Sequence, residues 1–144
     1  MSDTGAASSL AVARSTTVPD SLRHAFDEAW SHVMSLRGGP ALLSTIARDT
    51  EADVLVHLVT QDCVWIARAD DVVRGFAVVR DRVIEALWVD PRVRRRGTAR
   101  ALLAALATLP ESPLDAWALP GDRATKSLYE HVGWRARLLT MRGV

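Results

Sequence analysis

Hydrophobic residues recur with a helical period near the start of the chain. Between residues 21 and 36 they lie three or four positions apart, at Leu22, Ala25, Phe26, Ala29, Trp30 and Val33. This spacing places them on one face and predicts an amphipathic helix. Pro19 and Asp20 are typical of the start of a helix, and the Gly-Gly-Pro run from 38 to 40 is typical of an end.

The segments around this helix carry weaker patterns. The alternating and β-branched stretch from 10 to 18 predicts a first strand, and the small polar residues 1–9 are expected to be disordered. Residues 41–47 and 51–60 predict two short helices. Val54, Val56 and Val59 would also suit a strand, so the second helix has an alternative.

Three runs rich in β-branched and aromatic residues follow in the middle of the chain. They are CVWIARA (63–69), VVRGFAVV (72–79) and VIEALWV (83–89). Only two or three polar residues separate one run from the next, which is typical of tight turns between neighbouring strands. The pattern therefore predicts an antiparallel meander.

Helical spacing returns after Pro91. The apolar positions of this helix, which ends at Pro110, are Ala99, Leu102, Leu103, Leu106 and Leu109. A strand is predicted over 112–119, a helix from Asp122 as N-cap to about 132, and a closing strand over 134–141. The whole order predicts an α/β (α+β) domain with one mixed sheet flanked by helices.

Composition narrows the class of protein. With 144 residues and 49% hydrophobic content, the chain has material for one core, so residues 10–144 are expected to form a single domain. The net charge is only +1, which argues against a protein built around nucleic acid. No apolar run is long enough for a membrane span. The N-terminus lacks the pattern of a secretory signal, and Cys63 stands alone as a small buried residue, so a cytoplasmic location is expected.

An arginine-rich stretch, VDPRVRRRGTARALL (89–103), leads through Gly97 directly into a helix. Free amides at a helix start, together with the helix dipole, suit a bound phosphate. Small residues at Gly97 and Ala99 leave room for it, and arginines add charge-assisted hydrogen bonds. The stretch therefore favours a phosphate site over a nucleic-acid patch or a solvated helix face.

Two motifs resemble the GCN5-related N-acetyltransferase (GNAT) superfamily. Arg94-x-x-Gly97-x-Ala99 is similar to its signature [Q/R]-x-x-G-x-[G/A], and LWVDP resembles the strand end before it. GDRATKSLYEHVGW (121–134) is similar to its later motif, in which "LYE" precedes Gly and an aromatic residue. The resemblance covers roughly 53–141 and implies a GNAT fold: a mostly antiparallel sheet, splayed between the strands at about 84–90 and 114–119.

The resemblance implies acetyl-CoA as co-substrate. No metal is expected, because the four histidines show no metal-ligand spacing and no cysteine pair accompanies them. The residues that it implies for cofactor binding are Leu87, Trp88, Val89, Arg94, Arg95, Arg96, Gly97, Thr98, Ala99, Arg100 and Asp122. Relatives usually carry an asparagine near Asp122, and a carboxylate cannot donate the hydrogen bond that an amide can. The five tryptophans fit a core, with Trp88 and Trp117 close enough in sequence to reach the cofactor crevice.

Acetyl transfer to an amine needs a general base and a general acid. Tyr129 occupies the "LYE" position that the resemblance implies for the acid, with packing beside the cofactor as its alternative. Glu85, two residues before Leu87 and expected on the same strand face, is the candidate base. Its alternative is an acid paired with arginine. Glu130 is expected to be a solvated helix residue or an ion-pair partner.

The function expected is transfer of an acetyl group from acetyl-CoA to a primary amine by direct attack in a ternary complex. A small molecule, an amino acid or a peptide would serve as acceptor. We expect no nucleic acid or membrane as partner and leave a homodimer open. The alternative function is a non-catalytic acyl-CoA sensor or interaction module with the same fold.

Overall fold

A five-stranded sheet, described by the computed structural model over residues 10–93 and 97–144, separates two groups of helices. The strands are β1 (Ala11–Arg14), β2 (Val64–Ala69), β3 (Val72–Arg80), β4 (Val83–Val89) and β5 (Asp115–Ala116). The helices are α1 (Asp20–Met34), α2 (Gly39–Ile46), α3 (Val54–Thr60), α4 (Thr98–Leu106) and α5 (Arg123–His131), with a 3₁₀ turn at Pro91–Val93.

The strands lie side by side in chain order. The pairs from β1 to β4 are antiparallel, and β5 joins β4 in parallel. This is the mixed, mostly antiparallel sheet that the sequence predicts, and the meander 63–89 is confirmed. The tight turns place Asp70, Asp71, Asp81 and Arg82 at positive φ, a conformation that aspartate adopts more readily than most residues.

Each face of the sheet buries one cluster of side chains. Helices α1 to α3 cover the first face, where Leu22, Leu43 and Leu58 pack on Phe76. Helix α4 and the tyrosine of α5 cover the second face, where Leu102 and Tyr129 pack on sheet residues. We call these the α1/α2 face and the α4/α5 face. Side-chain alternation along a strand directs neighbouring residues to opposite faces, so each strand contributes to both clusters.

The ambiguous stretch from 41 to 60 is helical. Asp53 caps α3, because its carboxylate accepts a hydrogen bond from the Val56 amide at 3.1 Å. The two predicted helices are correct, since residues 39–46 and 54–60 are helical, and the strand alternative for the second one is wrong.

The α1–α2 connection is so tight that a Cβ on Gly39 would lie 1.7 Å from the Val33 carbonyl oxygen.

The C-terminal prediction is wrong. Residues 134–144 form no strand, and Leu138, Leu139 and Met141 are largely exposed. The predicted strand 112–119 is also reduced to Asp115–Ala116, and the first strand to Ala11–Arg14. A strand forms only where its backbone hydrogen-bonds to a neighbouring strand. Alternation of apolar and polar residues in the sequence does not provide that neighbour. The expectation of disorder for residues 1–9 lies outside the described residues.

Candidate active site

Strands β4 and β5 touch at one end and part at the other. They pair at Val83 with Asp115 and at Ile84 with Ala116, and the Trp117 amide donates to the Ile84 carbonyl at 3.0 Å. Beyond this point the pairing stops. The splay predicted between 84–90 and 114–119 therefore begins one residue after Ile84.

Backbone groups of β4 face the gap. The Asp90 amide donates to the Arg74 carbonyl on β3 at 2.8 Å. Because amide direction alternates along an antiparallel strand, the backbone groups of Leu87 and Val89 point the other way, toward β5. An extended ligand arm lying in the gap would meet these groups as if it were another strand.

A cavity of about 690 Å³ occupies the gap and continues beneath α1 and α2. Five residues singled out from the sequence line it: Glu85, Leu87, Trp88, Val89 and Asp122. Trp117 lines it as well, so both tryptophans expected to reach the crevice do so. Tyr129 does not line this cavity; it follows Leu128, which does, and packs in the cluster of the α4/α5 face.

The start of α4 packs against the end of β4. Gly97 precedes the helix at φ +81°, a left-handed conformation that favours glycine, and it offers no side chain to cap the first turn. The amides of that turn, from Thr98 to Arg100, have no intrahelical acceptor. A Cβ on Gly75 would lie 2.8 Å from the Trp88 carbonyl oxygen and 3.0 Å from Thr98 Cγ2. This glycine therefore lets the helix approach the sheet where the cleft opens.

The residues of the arginine motif are only partly placed. Gly97, Thr98, Ala99 and Arg100 form the start of α4, where the sequence predicts a phosphate site, with Arg100 exposed and Thr98 buried. Arg94, Arg95 and Arg96 lie outside the described residues. The uncapped amides and open glycine fit a pyrophosphate.

Tyr129 is buried, with 6% of its surface exposed, and its hydroxyl has no hydrogen-bond partner among the described residues. Its ring packs against Trp134 at a centroid distance of 5.2 Å. Burial, with a smaller contribution from the negative charge of Asp122, raises the pKa of Tyr129, so the hydroxyl is protonated at neutral pH. A buried hydroxyl without a partner is costly, and an incoming hydrogen-bond acceptor would remove that cost.

Asp122 is the N-cap of α5, as the sequence predicts. Its carboxylate accepts hydrogen bonds from the Thr125 amide at 3.1 Å and the Thr125 hydroxyl at 2.7 Å. The side chain is 7% exposed and lines the cavity. The aspartate at this position therefore holds the helix start and places a negative charge beside Tyr129.

Glu85 does not share a face with Leu87, contrary to the sequence prediction. The ladder pairs Val78 with Ala86 but Val79 with Ile84, so Glu85 is an extra residue in a β-bulge. The bulge reverses the side-chain alternation. The Glu85 side chain lies on the α1/α2 face, while Leu87 packs in the cluster of the α4/α5 face.

Two arginines hold the Glu85 carboxylate, which is 1% exposed. Arg48 donates to both oxygens, at 3.1 and 2.7 Å, and Arg80 donates from Nε at 3.1 Å and from Nη2. Arg80 also donates to the Ile46 carbonyl at 2.7 Å, which ties α2 to the sheet. This arrangement favours the ion-paired alternative for Glu85 over the general base.

Asp90 anchors the other end of β4. It is 2% exposed and accepts hydrogen bonds from the Arg92 amide at 3.0 Å and from Arg92 Nε at 2.8 Å. Burial alone would raise the pKa of Asp90, but the hydrogen bonds from Arg92 and the charge of Arg74 outweigh it and lower the pKa. The ionised carboxylate therefore stabilises the turn that leads into the arginine motif.

The contribution of α1 was not found from the sequence. His24, Glu28 and His32, four residues apart, all line the cavity, and His24 Nε2 lies 3.0 Å from Glu28 Oε1. The spacing itself was visible, as a polar stripe beside the apolar face of the helix. Only the tertiary structure shows that this stripe borders a cavity, at whose rim the His24 side chain is 72% exposed and the Glu28 side chain 37% exposed.

Two further properties concern the part of the chain that is described. None of its helices is long and apolar enough to cross a membrane. Over residues 10–93 and 97–144, no group of three His, Cys, Asp or Glu side chains is arranged to hold a metal ion.

Comparison with known proteins bears on the fold and the family. The structure resembles the aminoglycoside N-acetyltransferase AAC(6')-Iy in complex with CoA, with a TM-score of 0.61 and 17% identity over 96% of this chain and 97% of that one. The same enzyme with a bisubstrate analogue, CoA-S-monomethyl-acetylneamine, gives a TM-score of 0.55 at 17% identity, covering 95% and 99% of the two chains.

A protein assigned to the GNAT family from Xanthomonas campestris pv. campestris gives a TM-score of 0.51 at 19% identity, covering 94% of both chains. These identities establish the fold alone. No curated protein matches the sequence. The model of the acetyltransferase (GNAT) domain matches residues 60–136, which is more than half of the chain and includes the β-meander, the start of α4 and α5. The chain therefore belongs to the GNAT acetyltransferase family, as its two motifs predict.

Proposed function

We propose that residues 10–144 form one acetyltransferase domain that moves an acetyl group from acetyl-CoA to a primary amine in a ternary complex. The observation that carries this proposal is the cleft between β4 and β5, which opens beside the uncapped start of α4. The structural neighbour that binds CoA and acetylates aminoglycosides supports both the co-substrate and an amine acceptor.

The residues of the cleft have separate roles in this proposal. The start of α4, from Gly97 to Arg100, holds the pyrophosphate, with Arg94, Arg95 and Arg96 as the preceding part of the motif. The backbone of Leu87 and Val89 holds the extended arm, with Trp88 and Asp122 as walls. Acetyl-CoA, when bound, supplies the acetyl group and a thiolate leaving group.

Tyr129 is the proposed general acid. Its hydroxyl is protonated and has no partner among the described residues, so it is free to donate a hydrogen bond to the sulfur as negative charge develops there. Desolvation strengthens such a bond, because few competing dipoles remain around a buried donor. Burial therefore has two effects on the Tyr129 hydroxyl: it lowers the stability of the free protein, and it strengthens the hydrogen bond that the hydroxyl donates to a bound ligand.

Glu85 holds the fold of the site in this proposal and does not accept the proton. Both its oxygens are engaged by guanidinium groups, and proton uptake would weaken these bonds. The polar side chains of α1 that line the cavity, His24, Glu28 and His32, are available to take the proton from the ammonium group.

The arrangement of Glu85 also favours a second candidate function. Without a base on β4, a non-catalytic acyl-CoA sensor with the same cleft is the alternative. Thiol release from acetyl-CoA, measured across a panel of primary amines, separates the two functions. Release that depends on an amine supports the enzyme, whereas binding without release supports the sensor.

A substitution at Gly97 tests the binding site itself. Gly97→Glu places a negative side chain at the start of α4 and should abolish CoA binding in calorimetry, because it repels phosphate and strains a left-handed residue. Gly133→Glu is the matched control: Gly133 has φ +92° and open surroundings, so it reproduces the strain at another helix end. Equal CoA affinity in a folded Gly97→Glu protein would rule out this site.

A further inference from the structure

The cavity extends well beyond the cleft between β4 and β5. Part of its lining comes from α1 and α2, on the face of the sheet that carries Phe76 and Trp88. At that end, a Cβ on Gly38 would meet Leu119 Cδ2 at 3.4 Å, so the α1–α2 turn comes close to the segment after β5. The cofactor arm needs only the cleft. The space under α1 and α2 is therefore available to the acceptor.

The walls of this second compartment are mostly apolar. They come from Trp30 and Val33 on α1, from Leu42, Leu43 and Ile46 on α2, and from Phe76, Ala86 and Trp88 on the sheet. Two ring contacts organise them. Trp30 packs on Phe26 at a centroid distance of 5.7 Å, and Trp88 stacks on Phe76 at 5.8 Å with planes 25° apart. Rigid aromatic walls suit an apolar ligand body.

The charges around the compartment are unevenly distributed. The acids lining the cavity are Asp27, Glu28, Glu85 and Asp122, and no lysine or arginine lines it among the described residues. Asp27 and Glu28 lie on α1 with partly exposed side chains. The guanidinium groups nearest to Glu85 are already bound to it. Asp27 lies 3.9 Å from Arg23 and Glu28 lies 3.8 Å from Arg92, so these guanidinium groups already face an acid. A carboxylate placed in this compartment would find acids nearby and, among the described lining residues, no lysine or arginine to pair with.

We infer that the acceptor is a primary amine on an uncharged apolar body, aromatic or alkyl, without a carboxylate. This inference rests on the proposed function and deepens it. The ammonium group enters past the acids of α1, and the apolar body lies against Trp30 and Trp88. Free α-amino acids and strongly hydrophilic polyamines are poor acceptors, because the first bring an unpaired anion and the second leave the apolar walls unused.

Matched amines test the inference on the unaltered protein. 2-Phenylethylamine and phenylalanine share a phenyl ring and differ in the carboxylate, and ethanolamine lacks the ring. We expect kcat/KM for 2-phenylethylamine to exceed that for each of the others by about tenfold or more. Calorimetric titration of the same amines into protein saturated with CoA should give the same order of affinities, independently of turnover.

Two tryptophans on opposite faces of the sheet provide the matched variants. Trp30→Ala removes a cavity wall and should lower the ratio of kcat/KM for 2-phenylethylamine over ethanolamine by about tenfold. Trp65→Ala removes a half-buried tryptophan from the α4/α5 face and should leave this ratio unchanged. Leu42→Ala, at a smaller half-buried wall residue, should lower the ratio even if Trp30→Ala fails to fold.

The outcomes separate the inference from the function on which it rests. If phenylalanine, ethanolamine or the aminoglycoside kanamycin is acetylated as well as 2-phenylethylamine or better, the inferred acceptor class is wrong and the acetyltransferase stands. If CoA binds but no amine in the panel releases thiol, the proposed transfer is wrong and the inference falls with it. If neither Trp30→Ala nor Leu42→Ala changes the ratio of kcat/KM for 2-phenylethylamine over ethanolamine, the inference is also wrong. The apolar walls would then not recognise the apolar part of the amine.

Discussion

Two buried polar side chains lie on opposite faces of the sheet and differ in how their hydrogen-bonding capacity is used. Glu85, on the α1/α2 face, accepts hydrogen bonds from two arginines. Tyr129, on the α4/α5 face, has no partner among the described residues. A buried polar group with hydrogen-bond partners contributes to the stability of the fold. A buried polar group without partners lowers the stability, and a ligand that accepts its hydrogen bond would offset that loss. This comparison is the reason for proposing Tyr129, and not Glu85, as the residue that donates to the ligand.

The β-bulge is the physical origin of this difference. Without the extra residue, Glu85 would share a face with Leu87 and point toward the α4/α5 cluster. With it, the carboxylate turns toward Arg48 and Arg80. The same irregularity lies where β4 leaves β5. One inserted residue therefore coincides with the opening of the cleft. It also directs the carboxylate of the candidate base, which still lines the cavity, onto two arginines.

The largest effect is expected at the unpartnered hydroxyl. Tyr129→Phe should lower kcat by about 10² to 10⁴ while acetyl-CoA affinity changes little, because the ring still packs and only the proton donor is lost. Stability should be unchanged or slightly higher, since the variant no longer buries an unsatisfied hydroxyl. Amine-dependent thiol release and urea unfolding measure the two quantities. Full activity in Tyr129→Phe would show that Tyr129 only packs beside the cofactor.

At Glu85 the comparison predicts a loss of stability. Glu85→Gln removes the buried anion that two guanidinium groups share and should lower the free energy of unfolding by about 2 to 4 kcal/mol. The partial exposure of Arg48 and its second contact, with Asp81 at 3.7 Å, limit the loss. Glu130→Gln, at an exposed position of α5, is the control and should change it by less than about 0.5 kcal/mol. The comparison breaks if kcat/KM of the unaltered protein rises with pH and Glu85→Gln keeps its stability but abolishes this rise, because Glu85 would then act as the general base.

The α4/α5 face can also be altered without touching Tyr129. Gly75→Ala should lower the free energy of unfolding by about 1 to 3 kcal/mol, because the new Cβ would clash with the Trp88 carbonyl and Thr98. Displacement of α4 should weaken CoA binding as well. Gly121→Ala, where a Cβ meets nothing within 4 Å, is the matched control. Unaltered CoA affinity in Gly75→Ala would show that CoA binding does not depend on the close packing of α4 on the sheet.

Asp90 extends the comparison to a second buried, arginine-paired carboxylate. Its pKa is lowered in the folded protein, so its stabilisation is present above the pKa of an unfolded aspartate, about 4, and disappears as pH falls through the lower folded value. Asp90→Asn should therefore cost about 1 kcal/mol at pH 7, a small value because Arg92 is largely exposed. Urea unfolding at pH 7 and pH 3 measures this, and an equal cost at both would contradict the ion pair.

The sequence alone determined the elements whose signals are local. The helix under residues 21–36, the meander from 63 to 89 and the caps at Asp53 and Asp122 depend on spacing and on side chains next to them. The two motifs also lie within short segments, so the family and the start of α4 followed from them. These local patterns predict the structure correctly because the interactions that form a helix face, a tight turn or an N-cap involve residues close together in the sequence.

Only the tertiary structure decided the features that depend on distant partners. The segment 134–141 alternates like a strand yet pairs with no strand of the described residues, and β5 is two residues long. The partners of Glu85 lie 5 and 37 residues away, and the bulge that turns it toward them depends on the register with β3. Contacts between distant segments determine strand pairing, register and the burial of charged groups. The spacing of residues within one segment therefore cannot predict them.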